Sequence, residues 1–144
     1  MRILAIETSC DETAVAIVEN GTKVLTNMIA TSRDAFAKTG GVIPEEAARK
    51  QLECMLPMLH QALKEVGCTK DDIDAIAVTK GPGLLGSLLI GTVTARTLAS
   101  LWGKPLIGIH HTMGHLSSTW LDTTDDDQPQ FPVLSLSASG GHTE

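Results

Sequence analysis

Short apolar runs at the start of the chain predict three β-strands. Residues 2–7 (RILAIE) and 13–19 (TAVAIVE) are rich in aliphatic and β-branched side chains, as half-buried strands are. Asn20 and Gly21 follow, a dipeptide that tight hairpin turns favour because both positions accept a positive φ. Residues 22–30 (TKVLTNMIA) form a third run. The chain therefore opens with an antiparallel meander.

Apolar positions next recur with the period of a helix. Pro44 suits the first helical position, and Glu45 and Glu46 suit the positive end of the helix dipole. Gly67 is a typical helix terminator. The apolar stripe between these signals has 4-3-4-3 spacing and predicts an amphipathic helix; it consists of Leu52, Leu56, Leu59, Leu63 and Val66.

Strand and helix patterns then alternate. Residues 73–79 (IDAIAVT) indicate a buried strand, 84–102 a second helix and 105–110 (PLIGIH) another strand. Strands joined through helices are parallel, with right-handed crossovers. We therefore predict an α/β domain whose mixed five-stranded sheet carries flanking helices.

The last part of the chain changes character. Residues 121–130 (LDTTDDDQPQ) are acidic and polar, which is typical of a linker. Residues 131–144 (FPVLSLSASGGHTE) combine an apolar run with a Gly-Gly turn. We expect an N-terminal α/β domain at 1–120, an acidic linker at 121–130, and the first strand and Gly-Gly turn of a truncated second domain at 131–144.

Composition narrows the function classes. The 144 residues suffice for about one domain, and 42% hydrophobic but only 3% aromatic residues indicate an aliphatic core. A net charge of −6 argues against a general grip on phosphate backbones, although an RNA delivered by a larger assembly remains compatible. Three cysteines without metal-ligand spacing favour a reducing compartment. Without a signal peptide or a long apolar run, we expect a soluble cytoplasmic protein that does not enter membranes.

A polar loop between the first two strands is a candidate phosphate contact. In ETSCDET (7–13), Thr8 and Ser9 offer hydroxyl groups beside backbone N–H groups that can form an anion-binding nest. Asp11 and Glu12 have the chemistry to hold a metal or to position water. An ordinary polar turn, rich in turn formers, explains the same residues.

Two glycine-rich turns offer weaker signals. GPGLLGS (81–87) precedes a helix, where phosphates commonly bind, but it lacks the Lys-Ser/Thr of a P-loop. Close packing of its glycines is the favoured interpretation. SGGHT (139–143) is a similar turn at the start of the second half. If it faced the loop at 7–13 across a cleft, the two loops would clamp one nucleotide.

The stretch HHTMGH (110–115) contains a candidate metal pair. His111 and His115 share one face of a helix, close enough for one ion. Thr112 stands where a zinc protease has its glutamate, so that hydrolytic mechanism is not available. Because two ligands are too few for a metal site, a third must come from elsewhere. An incidental histidine pair is the alternative.

Five stretches together resemble the TsaD family in order and spacing. The resemblance covers the whole chain but only the N-terminal half of a family member. It implies an actin/Hsp70/sugar-kinase-like (ribonuclease H-like) fold, with two domains around a nucleotide cleft. It also implies transfer of threonylcarbamoyl from its adenylate to adenosine 37 of tRNA. The stretches are ETSCDET, GGVIPEEAAR, GPGLLGSLL, HHTMGH and SGGHTE.

The resemblance assigns roles to particular residues. It implies metal ligands at His111 and His115, completed by an aspartate from the absent half, with iron or zinc as the ion. Catalytic roles fall on Asp11 and Glu12. The implied contacts with threonylcarbamoyl adenylate, or another adenine nucleotide, are Thr8, Ser9, Ala138, Ser139, Gly140, Gly141 and His142.

The resemblance also implies partners and shows two departures. The partners are tRNA, a TsaB-like paralogue and other threonylcarbamoylation proteins. The family usually has Met-Glu where this chain has Thr112 and Met113, which removes a carboxylate from the histidine motif. Gln51 stands where the family tends to carry a histidine.

Two other functions compete with transfer: a noncatalytic TsaB-like dimerisation module, and the older metalloprotease assignment (O-sialoglycoprotein endopeptidase). The histidine pair disfavours the first, and Thr112 disfavours the second.

The first half of the second helix is apolar on nearly every side, so one sheet cannot cover all of its apolar surface. Without the TsaB-like partner, we expect this surface to pair with itself in a two-fold homodimer through the first-domain helices. The alternative is that the first helix, kinked at Pro57, covers the excess by itself. The small residues of the second helix would let the backbone of another subunit approach closely: Gly86, Ser87, Gly91, Thr94, Ala95 and Ala99.

Overall fold

The computed structural model of the chain describes residues 1–31, 43–123 and 128–136. Within these ranges, five strands form one sheet in the order β3-β2-β1-β4-β5, with three α-helices. Two short 3-10 helices, Lys70–Asp72 and Ser118–Trp120, complete the regular structure. The elements are β1 (Arg2–Glu7), β2 (Glu12–Glu19), β3 (Lys23–Thr31), α1 (Pro44–Val66), β4 (Ala75–Gly81), α2 (Leu85–Trp102), β5 (Leu106–His110) and α3 (His111–Ser117).

The predicted mixed sheet is confirmed. β1, β2 and β3 pair antiparallel, while β4 lies parallel to β1, and β5 lies parallel to β4. The hairpin turn has the positive φ that its dipeptide predicts, at 54° for Asn20 and 87° for Gly21. The parallel strands β1, β4 and β5 therefore end at one edge of the sheet, where the loops that follow them meet.

The core lies between the sheet and the helices α1 and α2. Alternation along β1 and β2 turns one set of side chains toward these helices and the other set toward the opposite face. None of the helices among the described residues is long and apolar enough to cross a membrane. The larger core side chains are all aliphatic or methionine: Leu4, Ile6, Val15, Ile17, Met55, Leu59, Ile73, Ile76 and Val78.

Close backbone contacts join the loop after β1 to the elements beside it. The Leu84 N–H donates to the Ser9 carbonyl at 2.7 Å. A Cβ on Gly83 would lie 2.9 Å from Ser9 Cα, and one on Gly91 would clash with Thr8 Oγ1. These contacts support the packing interpretation of the Gly-Pro-Gly turn.

The described residues 131–136 form no strand in this chain, and the first strand of a second domain at 131–144 stays a prediction. Phe131 and Leu134 are 82% and 100% exposed. A strand needs a neighbour to bond its N–H and C=O groups, and the described part of the chain pairs none with this segment. The Gly-Gly turn lies outside the described residues.

The predicted linker is anchored where it begins. The Asp122 carboxylate accepts the Val24 N–H at 2.8 Å, which ties residue 122 to β3. The Trp120 ring stacks on Phe131 with centroids 5.8 Å apart, and its indole N–H donates to the Pro129 carbonyl at 3.2 Å. The acidic part of the linker at 124–127 lies outside the described residues.

Candidate functional site

The helix α3 begins directly after β5 and presents two histidines together. The Nε2 atoms of His111 and His115 lie 3.0 Å apart. The two rings meet edge to face, with centroids separated by 4.5 Å. The predicted sharing of one helical face is therefore confirmed, and it brings two imidazole nitrogens to one point.

The other ring nitrogen of His111 faces the end of β1. Its Nδ1 lies 3.2 Å from Ser9 Oγ and 3.5 Å from Glu7 Oε2. Sequence reasoning missed Glu7 because a carboxylate at the end of a strand has no local signal that distinguishes it from the polar residues after it. One signal could have identified it: Glu7 is the last residue of a strand whose parallel neighbours lead to the histidine motif.

Glu7 lies in a polar network of its own. Its Oε1 accepts the Ser9 N–H at 2.5 Å, and its Oε2 accepts the Thr79 hydroxyl. Burial raises the pKa of Glu7, but the hydrogen bonds from Ser9 and Thr79, with the nearby His111, lower it further than burial raises it. The pKa therefore lies below the usual glutamate value, and the group is a carboxylate at neutral pH.

A groove of about 340 Å³ lies beside the histidine pair, on the sheet face that points away from the core. Its floor is made of small side chains, which leave space above the strands. Ala5 pairs with Ala16 on one side and Ala77 on the other, so three alanines form a row across the sheet. The other lining residues, several of them larger and apolar, include Glu7, Val18, Val78, Thr79, Ile109, His111, His115 and Leu121.

The predicted substrate-binding role of Thr8 is not supported for its side chain. Thr8 has no exposed surface, and its hydroxyl donates to the Ser87 carbonyl of α2 at 2.7 Å. A hydroxyl enclosed in this way cannot contact a substrate. Ser9 is also buried, at 4% exposure, but its Oγ faces His111. Ser9 thus lies beside the histidine pair.

The two predicted catalytic carboxylates lie where the loop after β1 ends and β2 begins, in a segment held by α1. Asp11 and Glu12 are both half-buried. The buried Gln51 side chain donates from Nε2 to the carbonyls of Cys10 and Glu12, each at 2.9 Å. Gln51 therefore clamps the backbone that carries both carboxylates, which gives this departure from the family pattern a physical role.

The second departure from the family pattern, at residues 112 and 113 of α3, does not change what lies beside the histidine pair. Thr112 is buried, and its hydroxyl lies 3.0 Å from His110 Nδ1, while Met113 is exposed. Neither side chain faces the histidine pair. The carboxylate beside His111 comes from Glu7 instead, so this position does not depend on the histidine motif.

Comparison with known proteins identifies the family of the chain. A family model described as TsaD, tRNA N6-adenosine threonylcarbamoyltransferase, matches residues 23–144. The chain belongs to the TsaD family. A relative of that name from Bacillus anthracis is 51% identical over 142 residues, 99% of this chain. Another from Thermomicrobium roseum is 50% identical over 147 residues. The chain spans about two fifths, 40%, of each relative's length.

Solved structures agree on the fold. "YeaZ from Pseudomonas aeruginosa" is similar with a TM-score of 0.58 and 22% identity, over 76% of this chain and 42% of that one. An uncharacterized protein with similarity to peptidase YEAZ from Pseudomonas aeruginosa gives a TM-score of 0.55 and 26% identity, over 76% of this chain and 43% of that one. The predicted actin/Hsp70/sugar-kinase-like (ribonuclease H-like) fold is confirmed.

The donor set in this TsaD chain fits part of a metal site. Neutral imidazole nitrogens are common ligands of zinc and iron, and His111 and His115 direct two of them to one point. Within 1–31, 43–123 and 128–136, no group of three or more His, Cys, Asp or Glu residues could hold an ion. The predicted loop of Ala138, Ser139, Gly140, Gly141 and His142 lies outside the described residues.

Replacing His115 with alanine is expected to leave the stability of the chain almost unchanged. The side chain is exposed and, among the described residues, its polar contact is the His111 ring, so the change should be within about 0.5 kcal/mol. Urea unfolding monitored by circular dichroism measures it. A loss above about 1 kcal/mol would show that the pair has a structural role.

Several large apolar side chains are exposed on the outer surface of the helices, as the all-round apolar pattern of the second helix predicts. Leu85 and Leu89 of α2 are 76% and 51% exposed. The proposed use of the small residues for contact with another subunit is wrong for four of them, because these pack inward against the sheet side; they are Ser87, Gly91, Ala95 and Ala99. We call the exposed set the outer apolar stripe: Leu52, Leu56, Leu85, Leu89, Val93 and Leu101.

Proposed function

We propose that this chain forms the first domain of a tRNA N6-adenosine threonylcarbamoyltransferase. The longer protein would transfer threonylcarbamoyl from its adenylate to adenosine 37 of tRNA, in the cytoplasm where tRNA is modified. The observation that supports this most directly is the His111–His115 pair, with Nε2 atoms 3.0 Å apart beside an alanine-floored groove. The groove volume of about 340 Å³ lies within the range of small-molecule sites.

The residues divide the work in this proposal. His111 and His115 would hold an iron or zinc ion, which when bound would supply Lewis-acid polarisation of phosphate or carbamate oxygens. The alanine floor would exclude water from around the acyl group, and Ser9 would approach the adenylate from the end of β1. Asp11 and Glu12, in the segment clamped by Gln51, would orient the attacking amine.

A graft tests the proposal, because the chain covers only part of its relatives. Residues 1–144 replace the matching segment of the Bacillus anthracis relative, and the hybrid is given threonylcarbamoyl adenylate and unmodified tRNA. We expect modified adenosine from the hybrid, none from the chain alone, and a loss of at least about 100-fold when His115 in the hybrid becomes alanine. A folded hybrid without product, or one indifferent to His115, would refute the proposal.

The outer apolar stripe supports a second part of the proposal, a protein partner on the helices α1 and α2. A TsaB-like paralogue, and with it the other threonylcarbamoylation proteins, would cover the stripe in the assembly.

Without that partner, we expect the chain to pair with itself through the outer apolar stripe. Sedimentation at micromolar concentration should show a dimer, which Leu89→Glu converts to a monomer. Lys23→Glu, on the exposed strand β3, is the control that should leave the dimer intact. A wild-type monomer would contradict self-association.

A further inference from the structure

We propose that Glu7 is a positioning residue: it fixes His111 with its proton on Nδ1, so that the lone pair of Nε2 faces His115. The inference rests on the metal role given to the histidine pair in the proposed function. It adds the reason why one of the two ligands is ready to bind. A histidine can ligate through Nε2 only when that nitrogen carries no proton.

The position of Glu7 is fixed from two sides. The Ser9 N–H donates to Oε1 at 2.5 Å, and the Thr79 hydroxyl donates to Oε2. Both donors belong to the sheet edge, one just after β1 and the other within β4. The carboxylate is thus held in one orientation before any ligand arrives, with Oε2 directed at the His111 ring.

The proton on His111 follows from what its neighbours accept. A carboxylate has acceptor oxygens only, and Glu7 Oε2 lies 3.5 Å from Nδ1. Ser9 Oγ lies closer, at 3.2 Å, and a hydroxyl can accept as well as donate. An N–H on Nδ1 satisfies both neighbours at once. A bare Nδ1 would set its lone pair against the carboxylate.

The same assignment accounts for the second histidine. The two Nε2 atoms lie 3.0 Å apart, so one of them must carry a hydrogen for a bond between them. With the His111 proton on Nδ1, its Nε2 accepts and His115 donates. The metal-free pair therefore consists of two complementary tautomers, and only His115 must move its proton before both can ligate an ion.

Glu7→Gln should move the His111 proton from Nδ1 to Nε2 without changing the shape of the side chain at position 7. The Ser9 N–H holds an oxygen at the Oε1 position, so the new amide group takes the Oε2 position. The Thr79 hydroxyl, which donates to Oε2 in the wild type, turns to accept one amide hydrogen, and the other amide hydrogen points toward Nδ1, where the carboxylate accepted one. His111 is left with its proton on Nε2, directed at His115, and the first ligand position is blocked.

Nitrogen-15 NMR of the histidine rings in the metal-free chain tests this directly. We expect His111, identified by its absence in His111→Ala, to carry its proton on Nδ1 in the wild type and on Nε2 in Glu7→Gln. Glu19→Gln, at the opposite end of the sheet beside Arg2, should leave the wild-type pattern. Ser9→Ala separates the two neighbours: the Nδ1 proton should remain if Glu7 decides the tautomer.

Titration with Zn²⁺ alone supplies a second measurement. Loss of an outer partner of a ligating histidine typically costs 10–100-fold in metal affinity, and we expect that loss for Glu7→Gln but not for Glu19→Gln. An Nε2 proton in the wild type, inversion by Ser9→Ala, or unchanged tautomer and Zn²⁺ affinity in Glu7→Gln would each overturn the proposal. Neither measurement uses tRNA or adenylate, so failure of the graft leaves these outcomes readable.

Discussion

Gly83→Ala is expected to destabilise the chain by about 3 kcal/mol, at the upper end of the cost of overpacking. The added Cβ would lie 2.9 Å from Ser9 Cα and closer still to the Ser9 carbonyl oxygen. The obstacle is backbone, which has no rotamer by which to move away. That carbonyl also accepts the Leu84 N–H at 2.7 Å, so separating the two loops would break this bond as well.

Gly114→Ala is the matched control for Gly83→Ala. A Cβ on Gly114, in α3, would meet nothing within 4 Å, and alanine favours a helix by up to about 1 kcal/mol. Urea unfolding of both variants gives the comparison. Equal urea midpoints for the two variants would show that the loop around Ser9 accommodates the added methyl group at little cost in stability. If the loss is as large as expected, the Ser9–His111 contact should weaken with it.

Gln51→Leu is expected to cost about 2 kcal/mol. It removes the two hydrogen bonds that Gln51 donates to the carbonyls of Cys10 and Glu12, and a typical intramolecular hydrogen bond contributes about 0.5–1.5 kcal/mol to stability. One effect opposes the loss. Gln51 Oε1 is itself buried and has no hydrogen-bond partner among the described residues, so leucine also removes an unsatisfied acceptor.

Glu53→Leu, on the exposed side of the same helix, controls for the general effect of a new leucine and should change stability by no more than about 0.5 kcal/mol. Chemical unfolding measures both variants. Amide hydrogen exchange at residues 10–12 gives the local result, since Gln51→Leu should accelerate it and Glu53→Leu should not. Equal exchange rates in the two variants would exclude the clamp.

Local patterns predicted most of the fold because each element carries its own signal. Pro44 and Gly67 bracket α1, and the Asn20-Gly21 turn sets the hairpin. The strand–helix–strand order then leaves few ways to arrange β4 and β5 beside β1. The start of β4, at Ala75 where the apolar run begins at 73, shows the usual imprecision of element ends.

The candidate site was harder to predict from the sequence because the residues in contact there are distant in sequence. Glu7 and His111 are separated by 104 residues, and only the parallel order of β1, β4 and β5 brings them together. The histidine pair itself is local, one helical turn apart, and could be predicted. Thr8 shows the opposite failure: its residue type suggested a ligand, but whether a hydroxyl points outward or into α2 depends on packing.

The row of alanines across the sheet has a consequence for selectivity. Ala16, Ala5 and Ala77 lie side by side on three adjacent strands, and each contributes a single methyl group to the floor beneath the histidines. Strands are held at a fixed spacing by their hydrogen bonds, so they cannot separate to make room. Along this row, methyl groups set the depth available to a bound molecule, and a branched side chain at any of the three positions would favour a thinner molecule over a thicker one.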